Sequence, residues 1–143
     1  MQINLNKSEK VHLDILNENV SQNYDIILIQ EPYTTSFNAI RTPTNFRPVY
    51  PTNRLQDDAQ IRSVMWVNKR LNTKDWTILD IPDTNNITAI QLKGPYGKLT
   101  IFNIYNECTH ARNERALGNY IRGHTNDIAR DENHHMIWVG DFN

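Results

Sequence analysis

The sequence predicts an α/β domain, and three observations carry that reading. The chain opens on a strand, a helix and a strand. Its middle is a run of short strands separated by turn residues. It closes on a helix and a last apolar strand, Met136-Ile137-Trp138-Val139. The 143 residues suffice for one domain of ordinary size.

Gln2 to Asn6 reads as a short strand, apolar at Ile3 and Leu5, with Asn4 and Asn6 on the other face. Ser8 is a helix cap. Val11, Ile15, Leu16 and Val20 follow at helical spacing. Tyr24 to Gln30 lacks alternation, which suits a strand buried on both faces. Glu31 to Gln60 holds Pro32, Pro43, Pro48 and Pro51. That density argues against a central strand or a long helix, so a long loop is expected, either an insertion or a substrate-facing segment.

Strands are then expected over Ile61 to Val67, Trp76 to Ile81, Ile87 to Lys93 and Leu99 to Tyr105. Pro82 to Asn86 and Gly94-Pro95-Tyr96-Gly97 supply the turns of an antiparallel meander. Leu117, Tyr120, Ile121, His124 and Ile128 give one helical face between Ala111 and Arg130. His135 to Val139 forms the last strand.

Fifteen basic and sixteen acidic residues leave a net charge of −1, so no bulk attraction to nucleic acid is expected, although a local patch remains open. The single cysteine, Cys108, forms no intrachain disulfide and anchors no zinc motif. This composition fits a reducing, intracellular setting. The N-terminus lacks the pattern of a signal peptide, and no apolar run approaches a membrane span.

Two buried-type strands end in polar pairs. Ile26-Ile27-Leu28-Ile29 runs into Gln30-Glu31-Pro32, and Met136 to Val139 runs into Gly140-Asp141-Phe142-Asn143. Glu31 is a hard oxygen donor of the kind magnesium takes, or begins a solvated loop. Asp141 and Asn143, two apart, can hold one water and one phosphate oxygen, or make an Asx turn. Tyr105 ends the strand Thr100 to Ile104 and reads as a core-edge residue with its hydroxyl in water. His134 and His135 look like a metal pair, but neighbours in a strand point to opposite faces. His124 shares the apolar helix face and reads as structural.

Four segments change that balance by occurring in order at predicted strand ends. They are Asn4-Leu5-Asn6, Leu28-Ile29-Gln30-Glu31, Asn103-Ile104-Tyr105 and Val139 to Asn143. The set resembles the endonuclease/exonuclease/phosphatase superfamily, which includes DNase I and the apurinic/apyrimidinic endonucleases. The wording is most similar to the endonuclease domain of non-LTR (LINE-type) retrotransposon polyproteins.

The resemblance implies a two-sheet sandwich flanked by helices, and it covers only the N-terminal part of the family domain. It implies metal-assisted phosphodiester hydrolysis with magnesium, or manganese, as cofactor and DNA as substrate. Glu31 would bind the metal with Asn4, supported by Gln30, while Asn6 faces the phosphate. Asp141 would orient or activate water, Asn143 would hold the scissile phosphate, and Tyr105 would donate to its developing charge. Lys7, Arg41, Arg47, Arg54 and Arg62 are available for phosphate contacts. The family's closing Ser/Thr-Asp-His segment has no counterpart here, since none of His12, His110, His124, His134 and His135 stands in its place. A fragment of a longer polyprotein is therefore expected, inactive by itself, with a reverse-transcriptase domain elsewhere and a nuclear location. A phosphoesterase for a small or lipid substrate and a non-catalytic remnant are the competing readings.

Overall fold

The computed structural model describes residues 1–37, 39–55, 60–107, 112–125 and 132–142. Two four-stranded sheets lie face to face. In the first, β1 (Gln2–Asn4), β2 (Ile26–Gln30), β4 (Ser63–Asn68) and β3 (Phe46–Val49) follow one another in space. In the second the order is β5 (Trp76–Leu79), β6 (Ile87–Gly94), β7 (Gly97–Tyr105) and β8 (His134–Asp141). β1 runs parallel to β2, and β7 parallel to β8; every other pair is antiparallel.

The period of two in each strand sorts its residues between the layers. Leu28, Met65, Val67, Ile90 and Ile101 face inward and form the core between the sheets. Ile27, Ile29, Val64 and Trp66 face outward, under Ile15 of α1 (Glu9–Asn17) and Val20 of α2 (Val20–Asn23). Ala89, Phe102 and Ile104 line the outer face of the second sheet and pack on Ala116 and Leu117 of α3 (Arg112–Gly123). The result is an α/β/β/α stack. Among the described residues no helix is long and apolar enough to cross a membrane.

Several expectations need correction. The first strand ends at Asn4, because Asn6 and Lys7 adopt positive φ (46° and 57°) and Ser8 N–H closes the turn on Leu5 O at 2.9 Å. Positive φ at both central residues defines a type I′-like turn, which Asn tolerates. The first helix breaks after Asn17, and Val20 begins a separate turn of helix. His12 rather than Val11 fills the buried stripe; its Nε2 pairs with Arg41 O at 2.8 Å, and its ring meets Trp66. The loop expected over Glu31 to Gln60 contains β3 and a 3-10 turn, Thr52–Leu55. Pro48 is tolerated because β3 is an edge strand.

The hairpin at Gly94 to Gly97 forms as expected, with those two glycines paired in register. Gly97 has φ 95°, and a Cβ there would overlap the Asn133 backbone. The described part of the last helix stops short of Arg130, and residues 126–131 with Ala111 lie outside the described residues.

Candidate active site

The C-terminal ends of β1, β2, β7 and β8 meet at one end of the seam between the sheets. Parallel pairing sets Asn4 of β1 opposite Gln30. Beyond the strand, Leu5 N–H donates to Gln30 O and Lys7 N–H to Glu31 O, both at 2.9 Å. The left-handed turn aims Asn6 N–H back at Asn4 Oδ1 at 2.8 Å. With its oxygen engaged, Asn4 turns its Nδ2 to Asp141 Oδ2, 2.7 Å away on the other sheet.

Asp141 is placed by β8, where it pairs with Tyr105 of β7. Its carbonyl accepts from Asn106 N–H at 2.8 Å. The preceding Gly140 crosses so close to β7 that a Cβ would overlap Ile104 O. Tyr105 is held from both sides. Its N–H donates to Asn86 O at 2.9 Å, and its carbonyl accepts from Asn113 Nδ2 of α3 at 2.8 Å.

Glu31 also has positive φ (45°), with its N–H bonded to Arg62 O at 2.8 Å. A side chain is seldom held in that region unless its surroundings determine it. The Glu31 carboxylate accepts from Arg62 Nη1 at 2.6 Å, with Lys7 Nζ at 3.9 Å. Arg62 lies over the Tyr105 ring, 5.4 Å from its centroid, and its Nη2 is 3.7 Å from Glu107. Burial raises the Tyr105 pKa first; a hydrogen bond to Glu31 and that carboxylate's charge add to it, Arg62 opposes, and Glu107 adds again. The phenol therefore stays protonated, a donor, near neutral pH.

Four of the predicted residues, Asn4, Glu31, Tyr105 and Asp141, thus come together. Asn6 serves through its backbone, holding Asn4, and not from a strand face. Gln30 points away from the cluster into the seam, where it is fully buried. It accepts from Gln2 Nε2 and donates to Asn103 Oδ1. Asn143 lies outside the described residues. Among the described residues no histidine contacts the cluster: His12 is in the core, His134 bonds Thr100 at the far end of β7 and β8, and His124 stacks on Tyr120.

Sequence reasoning missed three contributors. Arg62 was one basic residue among five, Glu107 was not singled out, and Asn103 entered only as the first residue of the segment Asn103-Ile104-Tyr105, with no role of its own. Asn103 is fully buried, and its Nδ2 donates to Ile29 O (3.0 Å) and Val64 O (2.9 Å) on the facing sheet. Ser63 Oγ returns a bond to Asn103 O at 2.8 Å. An amide inside the apolar run Ile101-Phe102-Asn103-Ile104 was the available signal.

The donor chemistry suits a hard cation. Glu31 and Asp141 offer carboxylates, and the Asn4 amide oxygen, which accepts from Asn6 N–H, keeps a second lone pair. No group of three or more His, Cys, Asp or Glu able to hold a metal is found among the described residues. A small set of oxygens completed by water is what magnesium accepts, whereas structural zinc needs four protein ligands.

Strand order, parallel edges and flanking helices together give a DNase I-like fold, which the following solved structures share. The endonuclease domain of TRAS1, a telomere-specific non-LTR retrotransposon, matches 98% of this chain with TM-score 0.66 and 21% identity. Truncated TDP2 from Caenorhabditis elegans matches 92% with TM-score 0.59 and 14% identity. Humanized D. rerio TDP2 matches 98% with TM-score 0.55 and 16% identity. The chain spans 56%, 54% and 60% of those structures, respectively. No protein-family model matches the sequence, and no curated protein does.

Proposed function

We propose that this chain carries the metal-and-water side of a site for hydrolysing DNA phosphodiesters, in the manner of a retrotransposon nicking endonuclease. The observation supporting this most directly is the Asn4–Asp141 bond, which joins the two sheets beside Glu31 and Tyr105. The fold shared with the TRAS1 endonuclease domain supports the choice of DNA.

In this reading Glu31 and Asn4 hold a hydrated magnesium ion, with manganese as a substitute. The ion supplies Lewis acidity toward a phosphate oxygen. Asp141, aimed by Asn4, orients the attacking water and takes its proton. Tyr105 donates its hydroxyl hydrogen to phosphate charge as it develops. Asn143 contributes a further donor to the phosphate. Gln30 supports Glu31 by anchoring the end of β2 in the seam. The product is a nick whose 3′ hydroxyl primes a reverse transcriptase, which places the whole protein in the nucleus.

The described cluster holds no histidine, and the chain covers little more than half of the compared endonuclease domain. Full activity therefore draws on residues beyond this cluster. The test is relaxation of supercoiled plasmid in magnesium by the chain alone and by the chain completed with the C-terminal part of a DNase I-like domain. The chain alone should not nick detectably. The completed protein should nick, and Glu31→Ala or Asp141→Ala should abolish it. Nicking that survives both substitutions would overturn the assigned site. Asp141-dependent nicking by the chain alone would overturn the need for completion.

A further inference from the structure

We propose that Arg62 is an exchangeable stand-in for a metal ion, seated on Glu31 and passing to Glu107 when a divalent cation takes the Glu31 oxygen. The proposal rests on the metal-binding reading of Glu31 given above. Its geometric basis is a guanidinium split between two acids. Nη1 lies 2.6 Å from Glu31 Oε1, while Nη2 lies 3.7 Å from Glu107 Oε1, short of a hydrogen bond. A purely structural Arg–carboxylate pair favours both nitrogens on both oxygens of one acid. Here one acid is engaged through one nitrogen, and a second acid waits on the other side.

The exchange requires only a side-chain movement. The Arg62 backbone is held at both ends, its N–H on Asn85 O at 3.2 Å and its carbonyl accepting from Glu31 N–H at 2.8 Å. The Tyr105 ring lies under the guanidinium and provides a π face along the way. A magnesium ion binds carboxylate oxygen at about 2.0–2.1 Å. A guanidinium nitrogen on Oε1 takes one of the carboxylate's acceptor positions and repels the incoming ion. Lys7, at 3.9 Å and 42% exposed, is screened by water and competes less than Arg62, which is 20% exposed. Glu107, 38% exposed, can receive the displaced charge without leaving it unpaired.

If Arg62 competes with the metal, Arg62→Gln tightens divalent-cation binding, by roughly tenfold for loss of one charge-assisted bond. Glu107→Gln removes the second seat and weakens binding several-fold, although Glu107 is itself no ligand of the ion. Both substitutions act in the direction that charge alone dictates, and movement of the Arg62 side chain separates this device from a static ion pair. The experiment is calorimetric titration of the parent, Arg62→Gln, Glu107→Gln and Glu31→Gln proteins with manganese chloride. It is paired with side-chain NMR of 15N-arginine protein during a magnesium titration. Glu31→Gln should lose the site, and the Arg62 resonance should move as magnesium binds.

Unchanged or weaker binding by a folded Arg62→Gln protein, with Glu31→Gln still defective, overturns the exchange and leaves the metal site standing. Should Arg62→Gln fail to fold, parent-like affinity in Glu107→Gln together with a static Arg62 resonance overturns the exchange equally. Parent-like affinity in Glu31→Gln removes the metal site, and the exchange with it.

Discussion

Asn4 and Asp141 are 137 positions apart, yet the Asn4 amide donates to the Asp141 carboxylate at 2.7 Å. One comes from each sheet, so the bond closes the seam where the chemistry is proposed. Asn4→Ala removes the Asn4 amide's bond to the Asp141 carboxylate, an exposed one. Plasmid nicking by the completed protein should fall on the order of a hundredfold, the scale of a small misplacement near a reacting centre. The melting temperature should hardly change. Parent-like nicking rates would show that Asp141 needs no such bond.

Asn103 should behave in the opposite way, with its effect on stability. Asn103→Ala strips partners from Ile29 O, Val64 O and Gln30 Nε2 in the interior. Unsatisfied buried groups and the small cavity together should cost about 2–4 kcal/mol. Urea unfolding monitored by tryptophan fluorescence measures the loss directly. A change below about 0.5 kcal/mol, the range of ordinary surface substitutions, would mean that water replaces the amide there.

Gly140→Ala should uncouple β8 from β7 locally. Its Cβ would overlap Ile104 O, which is backbone and cannot rotate away. Amide exchange at Asn106, whose N–H donates to Asp141 O, should accelerate, and nicking by the completed protein should fall with it. Unaltered exchange would show that the strand absorbs the methyl group.

Tyr105 makes stability fall at alkaline pH. Its pKa in the fold is raised above the usual 10.0, mainly by burial and then by Glu31. The folded state therefore holds the phenolic proton more tightly than the unfolded chain does. The contribution is whole below 10.0 and is lost as the pH rises through the raised value. Unfolding free energies at about pH 9 and about pH 11, bracketing the tyrosine range, should drop more steeply for the parent than for Tyr105→Phe. Parallel slopes would remove Tyr105 as the cause.

The sequence showed most of the strands because apolar runs survive in them. The strand expected over Tyr24 to Gln30 forms over Ile26–Gln30, the one expected over Ile87 to Lys93 forms over Ile87–Gly94, and Ser8 caps its helix through its side chain. β3 was hidden because Arg47-Pro48 breaks any local strand pattern; its ladder is supplied by β4, a partner no local window contains. The helix break at Asn17 to Val20 was hidden by an apolar spacing that continues across it. Within the site, residues next to a strand end could be located, but pairs formed across the seam could not. Arg62 and Glu107 matter because of what faces them, and that depends on how the sheets stack.

Position 31 carries two demands that conflict. The backbone there sits at φ 45°, a conformation that costs a side-chain-bearing residue roughly 1–2 kcal/mol and costs glycine almost nothing. The proposed chemistry requires a carboxylate at the same place. Glu31→Gly would relax the main chain while deleting the metal ligand. Under selection for robustness alone, sequences would drift toward glycine or asparagine there and lose catalysis without losing the fold. A retained glutamate at that position would thus report purifying selection on activity, and its replacement would date the end of that selection.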